Sequence, residues 1–373
     1  MKTFKFKLYK HKKNRFLKRT INASASIWNH CIALHKRYYS MFKKHLNKYQ
    51  LMKHIARVRN KNSYWQLVGS QAAQEICDRI DKSYKLFFKH HKNGVRPPSY
   101  VKSKKYKSFT LKQAGYKFLD GNKIKIGKQV FGYHKSREIE GKIKTLTVKR
   151  TSTGDMYIFI VTDAKSESIG LATGKIAGFD FGLKTFLTNS NGDDIQSPLF
   201  LLRARKQLRK LSQQLSSKKI GSNNWNKARI ELAKLHQRIV NLRRDWFWKL
   251  SYQLCDTYDV MCFETLNLKG MQRLWGRKIG DLAFSTFLEI LQTVAAIKGK
   301  KIVFVDKWFA SSKLCFNCGY RHKELKLRDR KWKCLNCKTL HLRDKNAALN
   351  IEREGASSLN LDTIRLPLGA SIV

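Results

Sequence analysis

The heptapeptide GFDFGLK, Gly178–Lys184, places a carboxylate, Asp180, in the middle of an apolar strand. It lies within KIAGFDFGLKTFLTNSNGDDI (175–195), a pattern typical of a buried strand, a second strand and an Asn-Gly hairpin turn. Burying an unpaired carboxylate is costly, and natural strands avoid it unless something compensates the charge. Asp180 therefore has either a structural partner or a bound cation that takes part in chemistry.

The charge of the chain indicates a polyanionic partner. Among 373 residues, Lys and Arg number 77 and Asp and Glu 26, which gives a formal net charge of +51. Such an excess repels itself in a compact fold unless a polyanion neutralises it. Basic stretches occur in three separate regions, and together with many aromatic residues they favour nucleic acid over a membrane: KHKKNRFLKR (10–19), YVKSKKYKSF (100–109) and RARKQLRKL (203–211). An RNA-packed structural protein, such as a ribosomal component, is the alternative that composition leaves open.

Two features concern cellular location. The N-terminal MKTFKFKLYKHKK lacks the apolar core of a signal peptide, and no run of about 18 apolar residues predicts a spanning helix. Four of the eight cysteines occur singly within apolar patterns and are typical of reduced core residues: Cys31, Cys77, Cys255 and Cys262. We therefore expect a cytoplasmic or nuclear protein with no membrane partner.

The N-terminal part of the chain predicts a β-domain interrupted by helices. Strict alternation in residues 3–9 predicts a half-buried strand, and the pattern from 13 to 105 is helical up to a pair of prolines. Residues 106–165 return to alternating strands, with one hairpin at an Asp-Gly turn and another around Gly154. We expect the first strand to join a sheet or barrel formed by residues 106–165.

The remainder predicts an α/β unit. After the strands around Asp180 come two basic helices, the second with Ser222 as a candidate N-cap. They precede a strand, DVMCFE (259–264), a helix predicted to start at Asp281, and a further strand, KIVFVD (301–306).

The strongest spacing signal is CFNCGYRHKELKLRDRKWKCLNC (315–337), a C-x2-C-x15-C-x2-C pattern. Two such knuckles supply four thiolates, which complete the tetrahedral shell of a structural zinc ion. Catalytic zinc is not expected, because four cysteines leave no open coordination position. The pattern predicts one Zn²⁺ held by Cys315, Cys318, Cys334 and Cys337.

Three dispersed carboxylates occur in matching contexts. Asp180 lies in its strand, Glu264 ends DVMCFE, and Asp344 opens the helix-like HLRDKNAALNI (341–351). Carboxylates from two strands and a helix can converge at one edge of a mixed sheet and hold two Mg²⁺ ions through oxygen. Two ions about 4 Å apart clamp the attacking and leaving oxygens of a phosphodiester. A helix cap or a strand-end salt bridge explains any one of these residues equally well, so both interpretations stay open.

Several motifs, taken in order, resemble those of TnpB, the RNA-guided nuclease family of bacterial insertion sequences, which is related to type V CRISPR effectors. They are GFDFGLK, FETLNLKGM, WGRKIGDLAFSTFLEIL, SSKLCFNCG, and CLNC followed by RDKNAALNI. The resemblance implies a multidomain α+β protein. Its parts would be a wedge β-barrel (1–12 and 106–168), a helical recognition lobe (13–105) and an RNase H-like RuvC α/β nuclease domain (169–373) with a zinc ribbon inserted at 311–340.

The same resemblance implies that Asp180, Glu264 and Asp344 form a RuvC-type catalytic triad with two Mg²⁺ ions, beside one structural Zn²⁺. It implies a guide RNA and target double-stranded DNA as partners, cleavage beside a short motif, and a nucleoid-associated location in bacterial cytoplasm. The alternatives are a guided repressor that does not cut, a compact type V CRISPR effector, and a cut-and-paste transposase. Trp275 and Trp308 offer stacking surfaces for bases, although core packing is the expected role of each.

Three positions depart from the family pattern. Thr265 follows Glu264 where an acid is common, Lys338 follows the second knuckle where glycine is common, and Leu342 stands where an aspartate often occurs. None of the three is a predicted ligand.

Overall fold

The computed structural model describes residues 1–164, 172–326 and 328–359. The chain divides into two compact units, Met1–Ser166 and Glu167–Val373. The ends of the predicted wedge and nuclease domains at 165–171 and 360–373 lie outside the described residues. The elements of the first unit are β1 Lys2–Lys7, α1 Asn14–Phe42, α2 Lys48–Asn60, α3 Ser63–Gln66, α4 Ser70–His90, β2 Ser108–Leu111, β3 Tyr116–Leu119, β4 Lys123–Ile126, β5 Gln129–Gly132, β6 Ile143–Arg150 and β7 Met156–Thr162. Those of the second are β8 Ile176–Phe181, β9 Leu187–Asn189, β10 Asp194–Ile195, α5 Phe200–Arg203, α6 Arg205–Ser216, α7 Asn223–Thr257, β11 Val260–Glu264, α8 Leu268–Leu282, α9 Phe284–Lys298, β12 Lys301–Val305, β13 Lys331–Lys333, β14 Leu340–Leu342 and α10 Arg343–Ser357.

The first unit contains two antiparallel sheets, with strand orders β1-β7-β6-β2 and β3-β4-β5. The N-terminal strand pairs with β7, so that Phe4 lies opposite Ile160. Phe4 and Phe6 are buried because alternate residues of a strand point to the same face. The predicted pairing of the first strand with later strands is therefore confirmed, as are both predicted hairpins.

Helices α1 to α4 stand in sequence between β1 and β2, as the helical pattern predicts. Helix α4 packs against α1, α2 and β2. One apolar core joins these helices to the sheets, and it contains the buried Leu17, Ile27, Ile76 and Ile80. Burial of this shared core makes the β-strands and the helical block one unit.

The second unit is built around a mixed five-stranded sheet of order β10-β9-β8-β11-β12. Strand β8 pairs antiparallel with β9 and parallel with β11, and β11 pairs parallel with β12. Gly192, with a φ of +96°, supplies the predicted Asn-Gly turn between β9 and β10. The parallel pairs bring the carboxyl ends of β8, β11 and β12 to the same edge of the sheet.

The two faces of this sheet have different partners. Phe179 and Phe263 belong to the large apolar core formed with α7 and α9. On the opposite face, helix α10 packs against β8 and β11. Its Ile351 is buried with Cys262 and Val305. Because side chains alternate along a strand, residues 178, 180, 262 and 264 face α10.

Two predicted helix starts have different outcomes. Ser222 caps α7, since its Oγ accepts a hydrogen bond from Trp225 N at 3.1 Å. The start predicted at Asp281 is wrong: Asp281 lies inside α8, and α9 begins at Phe284. The buried Asp281 carboxylate instead accepts hydrogen bonds from two backbone amides of α5, Leu201 N at 3.0 Å and Leu202 N at 2.9 Å. Asp281 therefore caps α5, which is distant in the sequence, and does not cap α9, which follows it directly.

Cysteine burial and helix length bear on two further predictions. Cys31, Cys77, Cys255 and Cys262 are buried and free, which confirms the prediction of reduced core cysteines. Within the described residues, no helix taken alone has the length and apolar character needed to span a membrane. One bent pair, Gly270–Leu282 with Phe284–Lys298, meets those criteria only when its two parts are combined.

Candidate active site

Asp180 and Glu264 lie side by side on adjacent parallel strands. The register pairs Phe179 of β8 with Phe263 of β11, so the residue after each occupies the same level. Neighbouring strands are about 4.8 Å apart, which brings the two carboxylates close together. On the opposite face the Phe179 and Phe263 rings stack with centroids 5.0 Å apart, a contact consistent with this register. The two acids therefore project together toward α10.

Asp344 stands on the first turn of α10, and its negative charge acts on Asp180. The helix approaches β8 closely because Gly178 has no side chain. A Cβ at that position would lie 2.1 Å from the Ala348 carbonyl oxygen and 2.5 Å from Glu352 N. This packing brings Asp344 near enough to Asp180 for its charge to act on that carboxyl, although the ligand atoms of Asp180, Glu264 and Asp344 do not all lie within 4.8 Å of one another. That the three acids form one metal site stays a prediction.

The three acids repel one another. Burial raises the pKa of Asp180 well above its usual value, and the negative charges of Glu264 and Asp344 raise it further. Burial also raises the pKa of Glu264. Arg343 and Arg330 act in the opposite direction on Asp180 without cancelling the effect. Asp180, Glu264 and Asp344 are half-buried, and half-buried carboxylates that repel one another are a typical setting for a bound cation.

Arg330 is a neighbour of this cluster that sequence reasoning missed. Its Nη1 lies 3.1 Å from both Oδ1 and Oδ2 of Asp344. Its carbonyl accepts a hydrogen bond from Arg343 N at 2.9 Å, which holds it beside the start of α10. No signal in the sequence marks it, since it lies in a run, RDRKWK, where four of six residues are basic. The contact pairs Asp344 with a cation belonging to the chain itself.

The four predicted zinc ligands also come together. Their ligand atoms all lie within 4.8 Å of one another, and among the described residues theirs is the set of metal-binding side chains that meets this spacing. The Sγ atoms of Cys315 and Cys337, and those of Cys318 and Cys334, are 3.6 Å apart. Thiolates about 2.3 Å from a tetrahedral zinc ion would be separated by about 3.8 Å, so the cluster fits zinc.

The two knuckles have the same kind of backbone turn. The amide of Gly319 donates to the Cys315 carbonyl at 2.9 Å, and the amide of Lys338 donates to the Cys334 carbonyl at 3.1 Å. Both residues have a positive φ, +73° for Gly319 and +61° for Lys338. The second knuckle thus places a side chain where left-handed backbone favours glycine.

The prediction that Trp275 and Trp308 pack in a core is wrong. Trp308 is 80% exposed in the segment after β12, and Trp275 is 39% exposed. Trp275 interrupts α8 with non-helical backbone, at φ −130° and ψ 35°. Lys307 Nζ lies 4.8 Å from the centroid of Trp308. Both rings are therefore accessible to a partner.

Comparison with known proteins gives consistent matches. A family model described as a probable transposase (OrfB_IS605) matches residues 159–274, and one described as a Cas12f1-like TNB domain matches residues 284–351. A Streptomyces pristinaespiralis protein named as an RNA-guided DNA endonuclease is 34% identical over 224 residues. A TnpB-like protein of Acanthamoeba polyphaga mimivirus, L79, is 28% identical over 228 residues. The resemblance to the TnpB family is confirmed.

The matches differ in how much of each protein they cover. The Streptomyces match takes in 59% of this chain and 55% of that protein, so the chain spans about half the length of this relative. InsQ of Escherichia coli K12, also named as an RNA-guided DNA endonuclease, is 26% identical over 78% of this chain and 75% of that protein. The solved Cas12f1–sgRNA–target DNA complex contains a chain that is 16% identical, with a TM-score of 0.59, over 92% of this chain and 83% of that one. This likeness shows a shared multidomain α+β fold.

Proposed function

We propose that this chain is an RNA-guided DNA endonuclease of a transposable element, which hydrolyses target DNA beside a short recognition motif. The observation that supports the proposal is that Asp180 and Glu264 stand at one level on adjacent strands, with Asp344 near enough for its charge to act on Asp180. The names of the TnpB-type relatives support the same activity. The proposed setting is bacterial cytoplasm, in association with the nucleoid.

The proposed domain assignment follows the TnpB pattern. Residues 1–12 and 106–168 would form the wedge-type β-barrel, and 13–105 the helical recognition lobe. Residues 169–373 would form the RuvC nuclease domain, with the zinc ribbon at 311–340. The strand order β10-β9-β8-β11-β12, with antiparallel strands on one side and parallel strands on the other, supports an RNase H-like sheet.

The acidic residues suit hard cations. Asp180, Glu264 and Asp344 offer carboxylate oxygens, which Mg²⁺ prefers, and we propose that they hold two such ions. When bound, Mg²⁺ would activate water and stabilise the charge that develops on the phosphate. The chain's part is to hold Asp180 and Glu264 at one level through the stacked rings beneath them. Arg330 would have to release Asp344 before that carboxylate could bind a cation.

The ribbon is proposed to hold one structural Zn²⁺ through Cys315, Cys318, Cys334 and Cys337. Thiolates favour zinc over Mg²⁺, so the two kinds of site should not exchange metals. Four protein ligands leave no position for a substrate, which excludes this zinc from the chemistry.

The proposed partners are a guide RNA and target double-stranded DNA. The net charge of +51 calls for a polyanion, and exposed lysines project from sheet faces, as on β4, where Lys123 and Lys125 alternate with buried Ile124 and Ile126. In guided systems base pairing carries sequence specificity, while the protein reads backbone shape and a short motif. Target choice should therefore reside in the RNA.

The test is a guide exchange. The full chain is purified with its co-purifying RNA, the RNA is sequenced, and plasmid cleavage is measured with Mg²⁺. Replacing the guide segment should move the cut to newly matched DNA, provided that the adjacent motif is kept. Mismatches near that motif should impair cutting more than distal ones, because pairing starts there. Cleavage of the same unique site by RNase-treated, RNA-free protein would overturn the proposal.

Two alternatives remain testable in the same assay. A guided repressor would bind the matched plasmid without cutting it, and the presence of all three carboxylates opposes that reading. A compact type V CRISPR effector would cut by the same chemistry with a guide from another source. A repeat array beside the gene would favour it, whereas an insertion-sequence end would oppose it.

A further inference from the structure

Helix α10 carries three polar side chains that do not face the sheet. They are Asn346, Asn350 and Arg353, spaced so that they follow one stripe of the helix. Asn346 and Asn350 are each only 1% exposed. All three bind the backbone of residues 311–316, the segment that contains the first cysteine of the ribbon. We name this set of contacts the knuckle clamp.

Asn346 holds the peptide groups on both sides of a zinc ligand. Its Oδ1 accepts a hydrogen bond from Phe316 N at 3.0 Å, and its Nδ2 donates to the Leu314 carbonyl at 2.7 Å. Cys315 lies between these two peptide groups. The His341 Nε2 lies 3.0 Å from Cys315 Sγ, three residues before Asp344. The sulfur and its flanking backbone are thus tied to the start of α10 from two directions.

The other two members extend the clamp along the helix. Asn350 Nδ2 donates to the Ser311 carbonyl at 2.8 Å and to the Leu314 carbonyl at 2.6 Å. Arg353 donates to the Phe316 carbonyl at 2.7 Å, and its guanidinium lies 3.8 Å from the centroid of the Phe316 ring. Buried amides are costly when they lose their partners, so the helix and the segment hold each other in one arrangement.

The same helix presents its opposite side to the acidic cluster. Asp344 stands on its first turn, two residues before Asn346, and the Gly178 contact seats the helix on β8. A change in the 311–316 segment therefore reaches Asp344 through a single rigid helix. The Arg330 contact with the Asp344 carboxylate is not part of this connection, since Arg330 has to leave Asp344 when a cation binds.

We propose that Asn346 and Asn350 are positioning residues that couple zinc occupancy of the ribbon to the placement of Asp344, and so to cation binding at the acidic site. The proposal rests on the proposed function only in taking that site as a divalent-cation site. Zinc fixes the 311–316 segment through Cys315, the clamp transmits its position to α10, and α10 aligns Asp344. Loss of zinc frees the segment and weakens cation binding at a site that contains no cysteine.

The test uses Mn²⁺ as the probe, because manganese prefers oxygen ligands over thiolates. Its affinity for the full chain is measured by the electron paramagnetic resonance of free Mn²⁺, in zinc-loaded and zinc-depleted protein. The variant is Asn346→Leu, and the control is Glu354→Gln, an exposed residue of the same helix. We expect zinc removal from the wild type to weaken Mn²⁺ binding about tenfold, as is typical when supporting partners of a metal ligand are lost.

The decisive comparison is a double-perturbation cycle. Asn346→Leu should weaken Mn²⁺ binding while zinc is still bound, and zinc removal should then have little further effect, because both changes break one connection. Glu354→Gln should behave as the wild type. An unchanged Mn²⁺ affinity after zinc removal would overturn the coupling. The coupling would also be overturned if zinc removal lowered the Mn²⁺ affinity of Asn346→Leu by the same factor as that of the wild type.

Two further measurements distinguish a failure of the clamp from a misfolded variant and from a failure of the proposed acidic site. The Co²⁺-substituted ribbon should keep its tetrahedral thiolate spectrum in Asn346→Leu, which shows that the variant is folded there. If zinc-loaded wild type does not bind Mn²⁺ at all, the proposed acidic site is wrong. Amide hydrogen exchange of residues 343–350 then decides the clamp by itself: the clamp predicts faster exchange after zinc removal, and equal rates refute it.

Discussion

The proposed acidic site and the cysteine cluster, which is the proposed zinc ribbon, bring their residues together in different ways. The ribbon takes four thiolates from two short stretches, 315–318 and 334–337, each folded by its own turn. The acidic site takes its carboxylates from β8, β11 and α10, which are separated by most of the second unit. The ribbon is encoded locally, whereas the acidic site exists only when strand register and helix packing are both correct. Substitutions outside the two cysteine stretches should therefore leave the cysteine cluster intact, whereas substitutions distant in the sequence can disturb the acidic residues.

The largest expected effect is the loss of cleavage in Asp180→Ala. Removing one of the three carboxylates should lower the cleavage rate by at least about a thousandfold, because the residues of a catalytic set act as a unit. Guide-RNA binding should stay near the wild-type level, since one acid barely changes a net charge of +51.

The matched control is Asp306→Ala. Asp306 is an exposed acid that follows β12, the next parallel strand of the same sheet. It should keep full activity in the plasmid assay, and its zinc content and that of Asp180→Ala should equal the wild type. Normal cutting by folded Asp180→Ala would remove this residue from the site.

The second effect is metal loss in Cys334→Ser. Metal binding supplies much of the folding energy of such small modules, so the variant should contain no stoichiometric zinc. Limited proteolysis should then cleave within 311–340. Cys255→Ser, a buried core cysteine outside the ribbon, should retain one zinc per chain by elemental analysis. Full zinc content in Cys334→Ser, or none in fresh wild type, would contradict the ribbon assignment.

Sequence analysis succeeded where information is local. The cysteine spacing predicted the four-cysteine cluster, alternation predicted β1, the Asn-Gly pair predicted the turn between β9 and β10, and Ser222 was recognised as an N-cap. It failed where a residue acts on a segment distant in the chain. Asp281 caps α5 rather than starting its own helix, and Arg330 reaches Asp344 only through the folded ribbon.

The three carboxylates are an intermediate case. Their contexts suggested convergence, but a helix cap or a strand-end salt bridge explained each residue equally well, and the family resemblance was needed to choose. Trp308 is a case in which the sequence carries no usable information. An aromatic residue next to an apolar strand can be buried or exposed, and Trp308 is exposed.

The third effect tests the packing on which the acidic site depends. In Gly178→Ala the added Cβ would meet the Ala348 carbonyl oxygen at 2.1 Å, so α10 must shift away from β8. Overpacking of this kind costs about 1–3 kcal/mol, which denaturant unfolding can measure. Cleavage should fall as well.

The control for this change is Gly280→Ala, because a Cβ there meets nothing within 4 Å. It should be neutral or slightly stabilising in helix α8. The Co²⁺ spectrum of the ribbon should be the same in both variants, since the ribbon turns do not depend on Gly178. An unfolding free energy for Gly178→Ala equal to that of the wild type would mean that α10 is not held this closely.

The smallest effect is expected at the second knuckle. Lys338 has a φ of +61°, a conformation that costs an L-residue roughly 1–2 kcal/mol relative to glycine. Lys338→Gly should slow amide exchange in the ribbon, because the strain at this position is removed. The free energy of opening should rise by up to about 1 kcal/mol, since the greater freedom of glycine in the unfolded chain offsets part of the gain. Gly319→Ala should have the reverse effect at the first knuckle. Faster exchange in Lys338→Gly would indicate that the lysine side chain stabilises the turn.

The alternation of side chains between the two faces of β8 and β11 restricts where this chain can gain or lose residues during evolution. Phe179 and Asp180 point to opposite faces of the sheet, as do Phe263 and Glu264. Deleting one residue earlier in either strand would exchange those faces, placing a phenylalanine among the acids and a carboxylate in the aromatic core. Length variation should therefore be purged from these two strands and tolerated in the surface turn between α6 and α7 at 217–221, before the Ser222 cap.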